Sequence, residues 1–348
     1  MPDPAFWHDR RVWVTGHTGF KGAWLSLWLQ LLGAEVHGYS VDRVSAPSLY
    51  EVADVGSGMA GDGRGDVRSK GELRAAVARA RPDVVFHMAA QALVRRGLAK
   101  PVETFNVNVT GTAKVLEALR TEAQPRAVVV VTSDKCYRNH GSGRPFREDD
   151  PLGGDDPYSA SKAAQEHVAA AYRALGLPIA TVRAGNVIGG GDWAPDRLVA
   201  DCMRAALAGE PVAVRAPDAV RPWQHVLCAL EGYLTVAERL FAGEPGGAWN
   251  FGPTAEDARP VGWLVERVRE RWPGALAVRA APPGAADGEA PALQLDSTRA
   301  RERLGWAPRW DLAAALDATV SWYAGYREGA DMRTETLRQI AAFERGAT

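Results

Sequence analysis

Arg11-Val-Trp-Val-Thr15, followed by Gly16-His-Thr-Gly-Phe-Lys-Gly22, is the stretch on which the fold turns. The first five residues are apolar and β-prone, run into a glycine, and read as a buried first strand. Gly16, Gly19 and Gly22 then open a helical run over residues 23–32, for which Gly33 serves as the C′ residue. Strand, glycine loop and helix in this order receive a dinucleotide: N–H groups at the helix start meet the pyrophosphate, and glycines admit it closely. The spacing is GxxGxxG rather than GxGxxG. Three glycines in an ordinary βα turn look the same in isolation; their place directly after the first strand argues for a phosphate loop.

Working outward, Glu35–Ser40 reads as a second strand, residues 82–90 and 127–132 as two further apolar strands behind helical patterns, and residues 181–186 as a later one. Fully apolar strands alternating with helices predict an α/β fold, a doubly wound parallel Rossmann sheet covered on both faces. Past residue 187 the rhythm breaks: Gly189-Gly-Gly-Asp192 crowds glycines, prolines recur, and Pro282 to Gly288 reads as a loop. The division expected is a dinucleotide-binding domain over 1–186 and a smaller substrate-binding lobe over 187–348, some segments of which return to the large domain. Ligand then lies between them, at the carboxyl ends of the strands.

Composition narrows the function. With 348 residues, 41 basic and 42 acidic side chains, 46% hydrophobic and 24% charged, the chain is globular and lacks the basic surplus that nucleic acid requires. Cys136, Cys202 and Cys228 are odd in number and far apart, which makes neither a disulfide framework nor a zinc site and suits a reducing cytosol. The seven histidines show no metal-ligand spacing. The N-terminus meets charge before any apolar run, and residues 22–32, the most membrane-like stretch, are about half a bilayer's span. A cytoplasmic protein with no membrane contact is expected.

The end of the second strand, Tyr39-Ser40, leaves the dinucleotide open. Asp42 stands two residues late for a ribose 2′-hydroxyl, and Arg43 is equally suited to a 2′-phosphate. Asp66, in Gly65-Asp-Val-Arg68, is placed either to accept from an adenine amino group or to cap a helix. Tyr158 and Lys162 stand four apart on one helical face, where a cation one turn away favours the phenolate that a tyrosine base needs. Thr132-Ser-Asp-Lys-Cys-Tyr137 closes an apolar strand. Ser133 would complete a Ser/Tyr/Lys trio, while Asp134 and Lys135 add an acid and a base that alcohol oxidation alone does not need. Elimination of water needs both. In a random loop the Asp–Lys pair would be a solvated surface turn. His87, closing its own strand, reads as a satisfied core residue, as do Trp24, Trp28, Trp306 and Trp310, whereas Trp193 and Trp223 are candidates for the cleft.

Here the chain resembles the nucleotide-sugar 4,6-dehydratases of the extended short-chain dehydrogenase/reductase superfamily, and among them those acting on CDP-glucose. The likeness rests on Val14 to Gly22, His87-Met-Ala-Ala-Gln91, Asn108-Val-Thr-Gly-Thr112, Thr132 to Tyr137, Arg183 to Trp193, Arg221-Pro-Trp-Gln-His-Val226, Trp249 to Pro253 and Leu304 to Trp310. Lys135 is a sharper mark than the glycine and Tyr/Lys motifs, since relatives acting on dTDP-glucose or GDP-mannose are expected to carry glutamate there, and the string from Arg183 to Trp193 is similarly diagnostic.

The resemblance implies NAD rather than NADP, held by Gly16, Thr18, Gly19, Phe20 and Gly22, by Asp66 and Val67, by Ala89, Ala90, Gln91 and Asn108, and by Tyr158 and Lys162. It implies a nucleotide sugar, CDP-glucose, held by Asn186, Arg197, Arg221, His225 and Asn250, and a homodimer or homotetramer built through helices flanking the sheet. The implied reaction oxidises C4 as Tyr158 takes the hydroxyl proton, removes the C5 proton with Lys135, releases the C6 hydroxyl as water with help from protonated Asp134, and returns hydride to C6. Two departures stand out: Tyr172-Arg173 runs straight into Ala174-Leu-Gly-Leu-Pro178 without the longer loop, and Ala160 stands where asparagine is usual. A nucleotide-sugar epimerase, a dehydratase for another NDP-hexose and a catalytically silent NAD-binding regulator are the competing readings.

Overall fold

The computed structural model describes residues 1–42, 45–141, 143–282 and 293–346. Arg43 and positions 283–288 of the predicted loop lie outside the described residues. A seven-stranded parallel sheet is built from β1 (Arg11–Thr15), β2 (Glu35–Ser40), β3 (Gly61–Arg64), β4 (Val84–His87), β5 (Ala127–Val131), β6 (Ile179–Ala184) and, later in the chain, β10 (Ala248–Phe251). Their spatial order is β10-β6-β5-β4-β1-β2-β3. Every residue of β4, β5 and β6 is buried, as expected of strands covered on both faces. The order reverses between β1 and β4, and the carboxyl ends of these two neighbours open the crevice where such folds take their ligands.

The helix after β1, Phe20–Leu31, starts three residues earlier than its apolar pattern predicts. Gly19 is its extended N-cap and carries no side chain to bond the first N–H groups, so the helix start stays open toward the crevice. Gly33, at φ +80°, ends it as predicted. The helix is buried nearly all round because the sheet lies on one side while Val226–Phe241 and Met332–Arg345 pack against the other.

The predicted strand at 181–186 divides. Ile179–Ala184 belongs to the large sheet, whereas Asn186 begins β7 (Asn186–Ile188), which pairs with β9 (Val220–His225) and through it with β11 (Ala258–Pro260). A parallel pair, β8 (Val212–Val214) and β12 (Val278–Ala280), forms a third, two-stranded sheet. β10, far along the chain, lines up beside β6, and the helix Val226–Phe241 packs on β5 and β6.

Trp24, Trp28, Trp306 and Trp310 are core residues, as their apolar settings predict. So are Trp193 and Trp223, which the polar motifs around them suggested for the cleft. Trp193 packs edge-on against Trp322, Tyr323 and Tyr326, and the indole of Trp223 donates to the carbonyl of Arg259.

Glu166 fastens the helix Pro157–Ala174 to the sheet. Its carboxylate accepts from Thr132 Oγ1 (2.5 Å), Thr181 Oγ1 (2.7 Å), and Nε and Nη2 of Arg183 (both 2.8 Å). Arg183 is 3% exposed and Glu166 4%, so each charge depends on the other. Arg183→Met strands the carboxylate and should cost about 3–5 kcal/mol of unfolding free energy, measured by urea titration. A variant as stable as the parent would show that the pair does not hold the helix.

Candidate active site

Three strand ends and one helix build the crevice. At the end of β1 the backbone turns through Gly16 (φ +76°), where a Cβ would lie 2.8 Å from the nitrogen of Ala89. A Cβ on Gly22 would lie 2.2 Å from the carbonyl oxygen of Gly16. Only glycine lets loop and helix pack this closely. Gly19 differs: its Cβ would approach only the Gly16 carbonyl, at 3.3 Å, and otherwise enter open space. That space, beside the uncapped N–H groups of Phe20–Leu31, is a cradle with the open approach and free backbone donors a pyrophosphate requires. The residues fit a dinucleotide.

Around the cradle, Thr18 Oγ1 shares a 2.8 Å hydrogen bond with Ser40, which ties the loop to the end of β2. Val67 packs at Gly111. Asp66 is not the cap of the helix Lys70–Ala80; Ser69 holds that position. The Asp66 carboxylate accepts from Arg68 instead, which holds it below the usual carboxylate range. Ala89 and Ala90 follow β4 beside Gly16. Asn108, on a π-helical turn over Asn106–Gly111, clamps the next residue: its Oδ1 accepts from the Gln91 amide and its Nδ2 donates to the Gln91 carbonyl and to Ser161. His87 has both ring nitrogens bonded, to Thr15 and Thr112, and burial lowers it to about 3.

At the end of β5 the chain turns into a short 3-10 segment, Asp134–Cys136. Ser133 Oγ donates to Asp134 Oδ1 (2.9 Å) and accepts from the Lys135 amide (3.2 Å), and the same side chain acts on the Tyr158 phenol. Asp134 is buried, not solvated, and this raises its carboxyl above the usual value against the pull of Lys135 and Lys21. Lys135 itself is half-buried. Tyr158 starts from an unfavourable position, pushed up to about 12 by burial, with the Ser133 hydroxyl and the Arg197 charge opposing. Lys162 is lowered to about 7 by burial and by Lys21, and its ammonium donates to Gln165 Oε1 (2.9 Å) and the Val131 carbonyl (3.3 Å). The helix carrying Tyr158 is capped by Asp156, which accepts from the Tyr158 and Ser159 amides.

Lys21 was not singled out in the sequence, although it sits inside the glycine motif. It is lowered to about 8 by burial and by Arg197, while Asp134 and Asp192 act in the opposite sense. Its neighbours come from three distant segments, so no local pattern announced it. Arg197 pairs with Asp192 at 2.9 Å and feels Tyr158, which places it on the crevice floor. Asn186 on β7 and Arg221 on β9 belong to one three-stranded sheet, apart from the large one.

Two of the proposed substrate residues turn out otherwise. His225 is fully buried between Trp24 and Trp310, its Nδ1 caps the helix Val226–Phe241 by accepting from the Leu227 amide, and burial lowers it to about 3. Asn250 spends its side chain on protein: Nδ2 donates to the carbonyls of Phe146 and Asp296, and Oδ1 accepts from the Tyr137 hydroxyl. Both hold the scaffold, because each lies where β9 or β10 meets the rest of the core.

Residues 12–252 match the model of the NAD dependent epimerase/dehydratase family. The chain belongs to this family. It is 43% identical over 365 aligned positions, covering all of both chains, to a CDP-glucose 4,6-dehydratase of Salmonella typhimurium. A dTDP-glucose 4,6-dehydratase of Streptomyces griseus is 33% identical over 70% of this chain and 73% of its own. Among solved structures, a UDP-glucose 4-epimerase of Thermus thermophilus in complex with NAD superposes with a TM-score of 0.80 at 29% identity, over 90% of this chain and 99% of that one. A dTDP-glucose 4,6-dehydratase of Streptomyces venezuelae with NAD bound gives 0.79 at 26%, over 93% and 99%. The cofactor of the family is NAD.

Gly19→Ala tests the cradle. The added methyl meets little protein, so thermal stability should stay near that of the parent, while NAD affinity by calorimetry should fall at least ~10-fold. Unchanged affinity would place the pyrophosphate elsewhere.

Proposed function

We propose that this protein converts CDP-glucose to CDP-4-keto-6-deoxyglucose, acting as an NAD-dependent hydro-lyase. The full-length relationship to a CDP-glucose 4,6-dehydratase supports the substrate. The reaction type is carried by one observation: Asp134, a buried acid with a raised pKa, is hydrogen-bonded to the serine that touches Tyr158. Oxidation or epimerisation at C4 needs Ser133, Tyr158 and Lys162; water loss needs Asp134 and Lys135 as well.

NAD, when bound, supplies the acceptor for the C4 hydride and the donor that returns it to C6. Gly16, Thr18, Gly19, Phe20 and Gly22 would hold its pyrophosphate, Asp66 and Val67 its adenosine, and Ala89, Ala90, Gln91 and Asn108 the wall beside it. Tyr158 Oη takes the C4 hydroxyl proton, with Ser133 Oγ orienting the same oxygen. Lys21, Arg197 and Lys162 gather positive charge around that phenol and favour its ionised form. Once C4 is a ketone its C5 proton is acidic, and Lys135 Nζ removes it. Asp134, kept protonated by burial, gives its proton to the departing C6 hydroxyl, which leaves as water. The proton taken by Lys135 goes back to C5. Asn186, Arg197 and Arg221 would hold the nucleotide diphosphate, for which guanidinium forks are suited.

Two exposed aliphatic side chains, Leu98 (61%) and Val102 (72%), stand on the short helices Val94–Ala99 and Pro101–Phe105, which pack on the helix of Tyr158. A second copy of the chain would cover this face, giving a homodimer or homotetramer. The cytoplasm, where nucleotide sugars and NAD occur together, is the compartment that suits this chemistry; no helix among the described residues is long and apolar enough to cross a membrane.

Incubation with CDP-, dTDP- and UDP-glucose, followed by mass spectrometry, should show loss of one water from the CDP sugar alone. An isomer of unchanged mass would mean epimerisation, and binding of NAD without turnover a silent regulator. Lys135→Ala and Asp134→Asn should each slow water loss about 100-fold or more at unchanged thermal stability. Normal dehydration by Lys135→Ala would remove it as the C5 base. Val102→Glu should lower the mass measured by light scattering if this face joins copies.

A further inference from the structure

Lys162 is embedded in a chain of hydrogen bonds that runs away from the crevice. Thr15 Oγ1 accepts the amide protons of Met88 (3.1 Å) and Ala89 (3.2 Å), so its own proton goes to His87 Nδ1 (2.7 Å). This leaves the imidazole proton on Nε2, which donates to Thr112 Oγ1 (2.9 Å). Thr112 passes its hydroxyl proton to the Asn108 carbonyl (2.7 Å) and takes a second donor, Gln165 Nε2 (2.9 Å). Both lone pairs of Thr112 are then filled, and only an amide NH2 can face it. The other end of that amide, Gln165 Oε1, accepts from Lys162 Nζ. A flipped amide would turn two N–H donors on an ammonium. The chain has one direction, set by the neutral tautomer of His87.

We propose that Gln165 is the positioning residue of the catalytic lysine: the Thr15–His87–Thr112 chain holds its amide carbonyl toward Lys162, and that acceptor keeps the lysine charged beside Tyr158. Gln165 lies behind Lys162 and touches neither sugar nor nicotinamide in the proposed reaction. The titratable groups that act on the lysine are Lys21 from the helix Phe20–Leu31, Glu166 from its own helix, Cys136 from the turn after β5 and His87 from β4. Lys21 and burial favour the neutral amine, while Glu166 favours the ammonium. Where these oppose, the shorter of the two hydrogen bonds to the charged form, the one to Gln165, tips the balance.

The inference rests on the proposed role of Tyr158 and Lys162, so its test is read without turnover as well as with it. The titration of Lys162 is followed by NMR in protein labelled with [ε-13C]lysine, the resonance assigned by its loss in Lys162→Met. In Gln165→Met, similar in shape but without the acceptor, the Lys162 titration should move down by about one pH unit. In Gln165→Glu it should move up. Thr112→Val, which frees the amide to flip, should move it in the same sense as Gln165→Met. The alkaline limb of kcat for CDP-glucose should follow each shift, with kcat of Gln165→Met about tenfold lower at neutral pH and KM little changed. A purely structural role would depress all variants alike without opposite shifts. Coincident titrations in parent, Gln165→Met and Gln165→Glu would overturn the proposal. Should CDP-glucose prove not to be the substrate, the NMR titration still decides it.

Discussion

One carboxylate sets the geometry on which the rest depends. Glu166 bonds the last threonine of the β5 edge, Thr132, and two side chains of β6, Thr181 and Arg183. It stands one turn beyond Lys162 and two beyond Tyr158 on the same helix. Fixing Glu166 therefore fixes how far that helix lies along the sheet, and so which residue at the end of β5 Tyr158 meets. A slip of one turn would move the phenol about 5.4 Å, beyond hydrogen-bonding reach of Ser133. The bond network around the ion pair is saturated, which is what makes a buried charge tolerable there.

The crevice sets opposing electrostatic demands close together. Burial raises the acid Asp134 and the phenol Tyr158 and lowers the lysines Lys21 and Lys162, so these four groups are pushed toward their neutral forms, while Asp192 holds Arg197 charged. For Asp134 the push produces the proton donor that water loss requires. For Tyr158 it is adverse, and the charge of Arg197 counters it. Acid and base roles thus follow from environment rather than residue type. The sign for pH follows as well: the acid form of Asp134 persists above the usual carboxylate range and is lost as pH rises through its elevated pKa.

Much of the site was legible because its motifs are local. The glycine loop needs close backbone approach within seven residues, and the Tyr158–Lys162 spacing is one helical turn. Ser133 and Asp134 could be read because an apolar strand must end where its burial ends, and in a parallel sheet that end faces the crevice. Lys21, Gln165 and Glu166 were not legible. Their meaning comes from partners on other strands and helices, and a single lysine or glutamine carries no periodic signal. His225 and Asn250 show the converse: polar residues inside a polar motif read as binding groups, yet tertiary packing assigns one to a helix cap and the other to three scaffold hydrogen bonds.

By itself the sequence determined the class of fold, the parallel sheet and the positions of its first, second, fourth and fifth strands, since apolar periodicity and glycine placement act over a few residues. It also marked the family through its motifs. Tertiary structure alone decided that the strand predicted at 181–186 splits between two sheets, that β10 returns to the large one, and that Lys21 joins Asp134. Those outcomes depend on which distant surfaces meet, and that is settled by the burial of whole faces.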